Sequence, residues 1–247
     1  MADNLGVWKS DPTSTLKAAC TQAAAMFLGS TAFGVCLALF YFAYPRFDLV
    51  VSEALFLPPH RFIGCESLLF HSLRYGFEML FCLVCVLTGI GCVFSLAMRR
   101  RWLGLLPRQW LYLAICFLIG PLTVVNLGFK DHWGRPRPST VTEFGGYKAY
   151  TPPLNPSDQC ARNCSFVSGE ASSIYIVGFA AVFLFPTAWG IWTVVAIIAG
   201  TFAGFVRMAE GGHFLSDVLF AGVLMALTAS AVQMLFIAIA RDSRGAD

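Results

Sequence analysis

The chain has 247 residues, of which 57% are hydrophobic and only 13% charged, and its formal net charge is +3. Soluble domains usually carry about 25% charged residues, so this composition and a mean hydropathy of +0.68 indicate an integral membrane protein. The small net charge, which Lys and Arg carry in local groups, argues against a nucleic-acid-binding protein.

The chain begins with a polar segment, residues 1–17, that contains Asp3, Lys9 and Asp11. A cleavable signal peptide would instead carry a short apolar core close to its start. The apolar run that follows from about residue 18 is long enough to remain in the membrane. We therefore expect an uncleaved first span.

Spanning helices need about 20 mostly apolar residues. The sequence predicts six of them, at roughly 18–43, 73–98, 109–129, 170–186, 189–206 and 216–240. The runs are continuously apolar and do not alternate, which disfavours a barrel. We therefore predict an all-α, polytopic membrane protein, with residues 1–247 forming a single domain and no particular oligomeric state favoured.

The connection after the second predicted span is rich in arginine, in the order Arg99, Arg100, Arg101 and Arg108. Short loops with such a bias usually face the cytoplasm. Both termini are then cytoplasmic, and the loops 44–72, 130–169 and 207–215 face the periplasm or exterior. The sequence thus predicts a multi-pass protein of the plasma (inner) membrane with its polar loops outside.

Two cysteines, Cys160 and Cys164, lie on the largest predicted outer loop, in "QCARNCS". An oxidising compartment would allow them to form a disulfide across this short separation. Pairing of either one with Cys65, or two free thiols, are the alternatives. A zinc site is disfavoured because no histidine lies near them in sequence.

Three polar stretches meet the membrane at the predicted outer face: "KDHWGRPRP", "CSFVSGEAS" and "VRMAEGGHFLSD". Charges at membrane depth are usually paired or functional. Lys130, Arg137 and Arg207 supply cations of the kind that surround a phosphate. Ser168 and Gly169 lead into a helix whose amides and dipole favour an anion. The stretches together predict a phosphate-binding site.

The third stretch also carries His213 and Asp217, four residues apart and on one face if the last helix has begun. A hydrogen bond from the imidazole to Asp217 would fix the tautomer and leave the other nitrogen free to attack. A nucleophilic histidine among cations suits phosphoryl transfer through a phosphohistidine.

These residues resemble the motifs of the type 2 phosphatidic acid phosphatase (PAP2) superfamily of membrane lipid phosphatases. The family pattern is Lys-x6-Arg-Pro, then Pro-Ser-Gly-His, then Ser-Arg-x5-His-x3-Asp. The chain matches the first motif from Lys130 to Arg137, and the third at Arg207, His213 and Asp217. The matches run from residue 130 to 217, and six predicted helices agree with the usual architecture of the family.

The resemblance implies that His213 is the nucleophile and Asp217 its partner. It also implies that phosphate is bound by Lys130, Arg137, Ser168, Gly169 and Arg207. Members of the family need no metal or other cofactor, and in most bacterial members the active site faces the outer side of the membrane.

The chain departs from the family at Glu170, which replaces the histidine that protonates the leaving oxygen, and at Val206, which replaces a serine. A carboxyl can donate a proton if burial or bound phosphate keeps it neutral, whereas neighbouring cations favour its ionised form. His132 and water are alternative donors. Arg135 could contact a phosphate or lipid headgroups, and we favour the headgroups. Glu78, inside the second span, is assigned to a partner within the bundle, with a functional role as the alternative.

The sequence therefore predicts a metal-independent phosphatase acting on a membrane lipid phosphate at the outer leaflet. The outer loop 130–169 and Glu170 favour a large saccharolipid, lipid A phosphate, as substrate. Undecaprenyl diphosphate, phosphatidylglycerol phosphate and phosphatidic acid are alternatives. A non-catalytic lipid-phosphate binder or transporter is a further alternative, but it has no evident need for the pair His213 and Asp217.

Overall fold

Five helical segments in a computed structural model, which describes residues 12–57, 59 and 61–245, are long and apolar enough to cross a membrane. They are Lys17–Ala43, Leu68–Met98, Pro107–Lys130, Pro186–Ala209 and Leu215–Asp242. The predicted all-helical, multi-pass membrane architecture is confirmed. Residues 1–11, on which the expectation about a signal peptide largely depends, lie outside the described residues, as do the two terminal residues 246–247.

The helices follow one another in chain order and are numbered accordingly. They are α1 Pro12–Ala43, α2 Phe47–Glu53, α3 Leu68–Met98, α4 Pro107–Phe117, α5 Gly169–Leu184, α6 Trp189–Ala209 and α7 Leu215–Gly245. A π-helical segment, Leu118–Lys130, continues α4. Short 3-10 turns occupy Pro138–Thr140, Thr142–Phe144 and Pro186–Ala188.

The fourth predicted span is α5, which has only 16 residues. A helix of that length rises about 24 Å, somewhat less than the roughly 30 Å hydrocarbon core. It is buried along most of its length and packs against α6 and α7. Its apolar sequence therefore reflects burial between neighbouring helices more than contact with lipid.

Small residues bring α5 and α6 close together. A Cβ placed on Gly178 would lie 2.5 Å from the Cβ of Ala196, and one on Gly200 would lie 2.3 Å from the ring of Tyr175. Such small-residue contacts are the usual way in which membrane helices approach closely. They anchor α5 at the centre of the bundle, which fixes the position of its first turn.

The segment Leu118–Lys130 has π-helical geometry and contains Pro121. Proline has no N–H to donate within a helix, and widened turns commonly accommodate such a defect. The hydroxyl of Thr123 donates to the carbonyl of Leu118 at 2.8 Å and so occupies one acceptor in this turn. The segment ends at Lys130, which it carries to the polar end of the bundle.

A small cap covers that end of the bundle. Strands β1 (Phe56–Leu57) and β2 (Arg61–Phe62) pair antiparallel. The rings of Phe56 and Phe62 pack around Phe144, with centroids 5.2 and 5.4 Å from it. These rings form part of a second hydrophobic cluster, separate from the core of the helix bundle.

Backbone hydrogen bonds attach the cap to the connection between α6 and α7. The amide of Gly64 donates to the carbonyl of Ala209 at 2.8 Å, and the amide of Ser139 donates to that of Gly211 at 3.0 Å. Gly211 has φ 69°, a conformation that favours glycine. The connection that carries His213 is therefore held from two sides.

Candidate active site

Four helix ends meet beneath the cap and bring the three predicted motifs together. Lys130 ends the π-helical segment, Gly169 begins α5, Arg207 lies in the last turn of α6, and Asp217 lies in the first turn of α7. A Cβ on Gly169 would lie 2.7 Å from the Nζ of Lys130. The absence of a side chain at this position therefore allows the lysine to reach the start of α5.

The imidazole of His213 is buried in this site, with the residue only 1% exposed. Its Nδ1 lies 2.7 Å from the carbonyl oxygen of Ser165. A carbonyl only accepts, so Nδ1 carries the proton and Nε2 keeps its lone pair when the ring is neutral. Within the described residues, Nε2 is buried and has no hydrogen-bond partner. This is the arrangement that a nucleophilic nitrogen requires.

The direct hydrogen bond expected between Asp217 and His213 is not formed. Oδ2 of Asp217 lies 3.6 Å from Nδ1, and it accepts instead from the hydroxyl of Ser165 at 2.5 Å and the amide of Phe214 at 2.8 Å. Asp217 therefore holds Ser165, whose carbonyl in turn orients His213. The negative charge of Asp217 is still close enough to His213 to stabilise an imidazolium.

Arg135 is fully buried, so its assignment to lipid headgroups is wrong. Its Nη1 donates to Oδ1 of Asp217 at 2.5 Å and its Nη2 to Oδ2 of Asp48 at 2.8 Å. The guanidinium also lies over the ring of Phe214, 4.3 Å from the centroid. Burial lowers the pKa of Arg135, but Asp217 and Asp48 outweigh it, and the net direction is upward. The residue is a permanent buried cation.

Asp48, in the first turn of α2, completes this buried network. It accepts from the hydroxyl of Tyr41 at 3.0 Å and from the amide of Ser216 at 2.9 Å. The hydroxyl of Ser216 also donates to it. Ser216 lies in the first turn of α7, so the negative charge of Asp48 interacts favourably with the positive end of the α7 dipole. The connection between α1 and α3 is thereby attached to the site.

Arg207 lies between two carboxylates, with its side chain 6% exposed. Its Nε is 2.9 Å from Oε1 of Glu170, and its Nη1 donates to Oε2 of Glu210. Glu210 is also 3.0 Å from Nδ1 of His71 and 4.0 Å from Nη1 of Arg74. The two residues from α3 thus extend the polar site beyond the three motifs.

Arg137 faces the same site from the loop after Lys130. Its Nη2 donates to the backbone and side-chain oxygens of Asn163, at 2.9 and 3.0 Å. Burial lowers the pKa of the Arg137 guanidinium, and the nearby positive charge of Arg207 lowers it further. Cations that repel one another in this way would be stabilised by a bound anion.

Glu170 projects its carboxylate between the cations and the histidine. Its Oε1 lies 2.9 Å from Nε of Arg207 and 3.9 Å from Nε of Arg74, and its Oε2 lies 3.4 Å from Nε2 of His213. Oε2 is buried and makes no hydrogen bond within the described residues. Glu170, the substituted residue of the second motif, thus lies beside the candidate nucleophile and among the groups expected to hold phosphate.

Ser168 caps α5, and its hydroxyl accepts from the amide of Ala171 at 3.4 Å. The amide of Ser168 donates to the carbonyl of Asp217 at 3.1 Å, so it is not free for an anion. The first amides of a helix lack partners within the helix itself. An anion bound by free backbone amides at this end of α5 would therefore use those of Gly169 and Glu170.

The outer loop contains a disulfide between Cys160 and Cys164, with the Cα atoms 5.7 Å apart. This separation lies in the usual range for disulfides. The amide of Cys164 donates to the carbonyl of Lys130 at 3.0 Å, so the bridged loop packs against the end of the π-helical segment. Cys65, the alternative partner, is a free and exposed cysteine.

The arrangement suits an anion: the buried Arg207 and the half-buried Lys130 and Arg137 lie at the same end of the bundle as His213, whose Nε2 has no hydrogen-bond partner within the described residues. In the described part of the chain, no group of three His, Cys, Asp or Glu side chains is placed to hold a metal ion. Glu78, assigned above to a partner in the bundle, pairs instead with Arg74 of its own helix at 3.0 Å. His132, the alternative proton donor, is exposed.

Reasoning from sequence missed the roles of Asp48, Arg135 and Ser165. Ser165 orients His213 through its backbone carbonyl. Every residue type has this carbonyl, so the sequence does not indicate the contact. Asp48 lies far along the chain from its partners, so no local spacing points to it. Glu210 was also missed, although its position three residues after Arg207, at the end of α6, is a recognisable pairing distance.

Comparison with known proteins places these residues in context. The model of the PAP2 superfamily matches residues 109–239. A lipid A 4'-phosphatase of Francisella tularensis subsp. novicida is 34% identical over 192 residues, covering 76% of this chain and 85% of the relative. A lipid A 4'-phosphatase of Rhizobium leguminosarum is 39% identical over 41% of this chain and 43% of its own length.

The fold is also similar to a solved structure. The crystal structure of a transmembrane PAP2 type phosphatidylglycerolphosphate phosphatase from Bacillus subtilis aligns with a TM-score of 0.50 and 22% identity. The alignment covers 85% of this chain and 96% of that one.

Proposed function

The chain belongs to the PAP2 superfamily and is a membrane lipid phosphatase, and we propose that it removes a phosphate group from lipid A. The observation that carries the proposal is the buried Nε2 of His213, which lacks a hydrogen bond within the described residues and lies 3.4 Å from Glu170, the carboxylate that pairs with Arg207. The lipid A 4'-phosphatase relatives support the choice of substrate, because one of them is matched over most of its length.

In the proposed reaction, Nε2 of His213 attacks phosphorus while the bond from phosphorus to the leaving oxygen breaks. A proton is supplied to that oxygen, and the phosphoryl group is carried on the histidine. Lys130, Arg137 and Arg207 stabilise the charge on the non-bridging oxygens. Water then attacks the phosphohistidine, giving inorganic phosphate and restoring the imidazole.

Ser165 and Asp217 support the nucleophile. The Ser165 carbonyl accepts from Nδ1 at 2.7 Å, which presents the lone pair of Nε2 to the substrate. The carboxylate of Asp217, 3.6 Å from Nδ1, stabilises the positive charge that the ring acquires as the bond to phosphorus forms. Arg135 and Ser165 hold this carboxylate in place.

Glu170 is the proposed proton donor to the leaving oxygen. In the structure its carboxylate pairs with Arg207, an arrangement that favours the ionised form. An incoming phosphate would compete for Arg207 and bring negative charge close to Glu170, which favours protonation. The substrate itself would thereby convert Glu170 into the acid that the reaction needs.

The active site is proposed to face the periplasm or exterior of the plasma membrane, with both termini in the cytoplasm. The arginine-rich connection Arg99–Arg101, at the opposite end of α3 from Arg74, supports this orientation. The bridge between Cys160 and Cys164 supports it as well, because disulfides persist in oxidising compartments.

The test is phosphate release by the detergent-purified protein in the presence of EDTA. The panel contains lipid A, undecaprenyl diphosphate, phosphatidylglycerol phosphate and phosphatidic acid. We expect lipid A to have the highest kcat/KM. Preference for another member of the panel would reject the substrate but retain the enzyme. Binding of lipid A without phosphate release would favour the non-catalytic binder.

A further inference from the structure

Two arginines from different helices approach the same pair of carboxylate oxygens in the candidate active site. Arg207, on α6, has its Nε 2.9 Å from Oε1 of Glu170 and donates from Nη1 to Oε2 of Glu210. Arg74, in the second turn of α3, has its Nε 3.9 Å from the same Oε1 and its Nη1 4.0 Å from the same Oε2. Arg74 is therefore placed to share an anion with Arg207, although it belongs to none of the three sequence motifs.

The guanidinium of Arg74 has unused hydrogen-bond donors. Its Nε donates to Oε1 of Glu78 at 3.0 Å, and this is its only hydrogen bond within the described residues. The N–H groups on both Nη atoms are therefore left without a hydrogen-bond partner in that part of the chain. The side chain of Arg74 is 32% exposed, which leaves these donors accessible to a ligand.

The carboxylate of Glu170 lies where the phosphate would have to bind. Its Oε2 is 3.4 Å from Nε2 of His213, and reacting atoms are about 3–3.5 Å apart before attack. Its Oε1 is within hydrogen-bond distance of Nε of Arg207. A phosphate that met both conditions would replace this carboxylate, and one of its oxygens would take the position of Oε1, near both arginines.

The side chain of Glu170 has space to move aside for the phosphate. It lines a cavity of about 200 Å³ that opens between α3, the π-helical segment and α5. A phosphate oxygen at the position of Oε1 would be 3.9 Å from Nε of Arg74. Hydrogen bonds of this type have a usual length of about 2.9 Å, so the guanidinium needs to move only about 1 Å. A change of side-chain rotamer provides such a movement without a shift of α3.

Electrostatics also favour an anion shared by these arginines. Burial lowers the pKa of the Arg137 guanidinium, and the positive charges of Arg207 and Arg74 lower it further, whereas Glu170 opposes them. The charge of Arg74 thus acts on a residue that is expected to bind phosphate. A phosphate in place of the Glu170 carboxylate would take over the relief of this repulsion.

We propose that Arg74 is a further phosphate-binding residue, supplied by α3, which joins Arg207 on the phosphate once Glu170 has been displaced. The inference rests on the proposed function, because attack by His213 determines where the phosphate lies. Guanidinium N–H groups match the oxygens of a phosphate in geometry as well as in charge. Glu78, which pairs with Arg74 in the free protein, competes with phosphate for it.

The test measures the Ki of inorganic phosphate as an inhibitor of the detergent-purified protein. The reaction is followed by the dephosphorylated product of the lipid in the panel that the protein hydrolyses best. Inorganic phosphate carries no lipid, so its Ki reports on the phosphate site alone. Arg74→Ala should raise the Ki about tenfold, the scale of one charged hydrogen bond, and Arg74→Lys should recover part of the loss.

The matched control is Arg61→Ala. Arg61 is an exposed arginine of the cap that pairs with Glu66, away from the candidate site, so its replacement should leave the Ki unchanged. The melting temperature in detergent shows whether each variant remains folded.

Glu78→Gln provides a second measurement with the opposite sign. It weakens the ion pair that holds Arg74 and should lower the Ki about threefold, the scale of an exposed pair. In the Arg74→Ala background the same change should alter the Ki much less, because no guanidinium is released. An Arg74 with only a structural role would not produce this dependence.

An active, folded Arg74→Ala protein with a Ki within about twofold of wild type would overturn the role of Arg74. An equal effect of Glu78→Gln in both backgrounds would do so as well. If Arg74→Ala does not fold, the Ki of Glu78→Gln decides: a lower value supports the role and an unchanged one rejects it. A wild-type protein that releases phosphate from no lipid in the panel would overturn the proposed function, and this inference with it.

Discussion

Arg135 donates to Asp217 across a 2.5 Å contact in which both side chains are completely buried. The contact joins the loop after the π-helical segment to the first turn of α7, where the carboxylate supports the candidate nucleophile through Ser165. A guanidinium shared between Asp217 and Asp48 thus sets the geometry of the site without touching the phosphate-binding cations.

The first prediction concerns this buried cation. Arg135→Met would leave Asp48 and Asp217 without their counter-ion, which should destabilise the protein by about 3–5 kcal/mol. Thermal unfolding in detergent measures the effect as a lower Tm. Arg137→Met is the matched control. Arg137 is hydrogen-bonded to the neutral Asn163, so its replacement leaves no carboxylate without a counter-ion and should lower Tm much less. Equal shifts in the two variants would contradict the assigned structural role of Arg135.

A second prediction separates proton donation from phosphate binding at Glu170. Glu170→Gln cannot protonate the leaving oxygen, so kcat for lipid A should fall about a hundredfold or more. An aryl phosphate whose leaving group needs no proton should be hydrolysed at close to the wild-type rate. A similar fall for both substrates would remove Glu170 from the acid role and leave it as a binding residue.

A third prediction concerns Glu210, which the family motifs do not include. Its carboxylate holds Arg207 from the side opposite Glu170, and it also reaches His71 and Arg74. Glu210→Gln should loosen Arg207 and lower kcat/KM about tenfold, the scale of one charged hydrogen bond. Steady-state kinetics with lipid A measures the change. An unaltered kcat/KM would show that Arg207 is positioned adequately by Glu170 alone.

The disulfide gives a fourth prediction. Alkylation of the native, unreduced protein should label Cys65, which is exposed and free, and neither Cys160 nor Cys164. Reduction before alkylation should add label at both positions. Peptide mapping by mass spectrometry distinguishes the three cysteines. Label at Cys160 and Cys164 without reduction would refute the bridge.

The membrane helices could be predicted because their signal is local. A continuous apolar run identifies a span wherever lipid or buried neighbours surround it, and the run 109–129 corresponds to the segment Pro107–Lys130. The start of α3 was predicted less accurately. The predicted span begins at 73 whereas the helix begins at Leu68, since His71 and Ser72 interrupt the apolar pattern where the helix enters the site.

The candidate site was predictable in its motifs but not in its supporting contacts. Charged residues at fixed spacing identified Lys130, Arg207 and His213, which the fold brings to one end of the bundle. The partner of His213 was predicted incorrectly because the acceptor is a backbone carbonyl, that of Ser165. Asp48 was missed because its contacts depend on tertiary packing between distant segments.

The central claim is that His213 performs the chemistry, and the most direct measurement is phosphate release from lipid A in EDTA by wild-type protein and His213→Ala. The variant should lose at least about a thousandfold in kcat, because among the described residues only His213 has a buried histidine nitrogen without a hydrogen bond. The variant's melting temperature should be checked alongside, to show that it remains folded. A folded His213→Ala protein with activity within about tenfold of wild type would contradict the phosphohistidine mechanism.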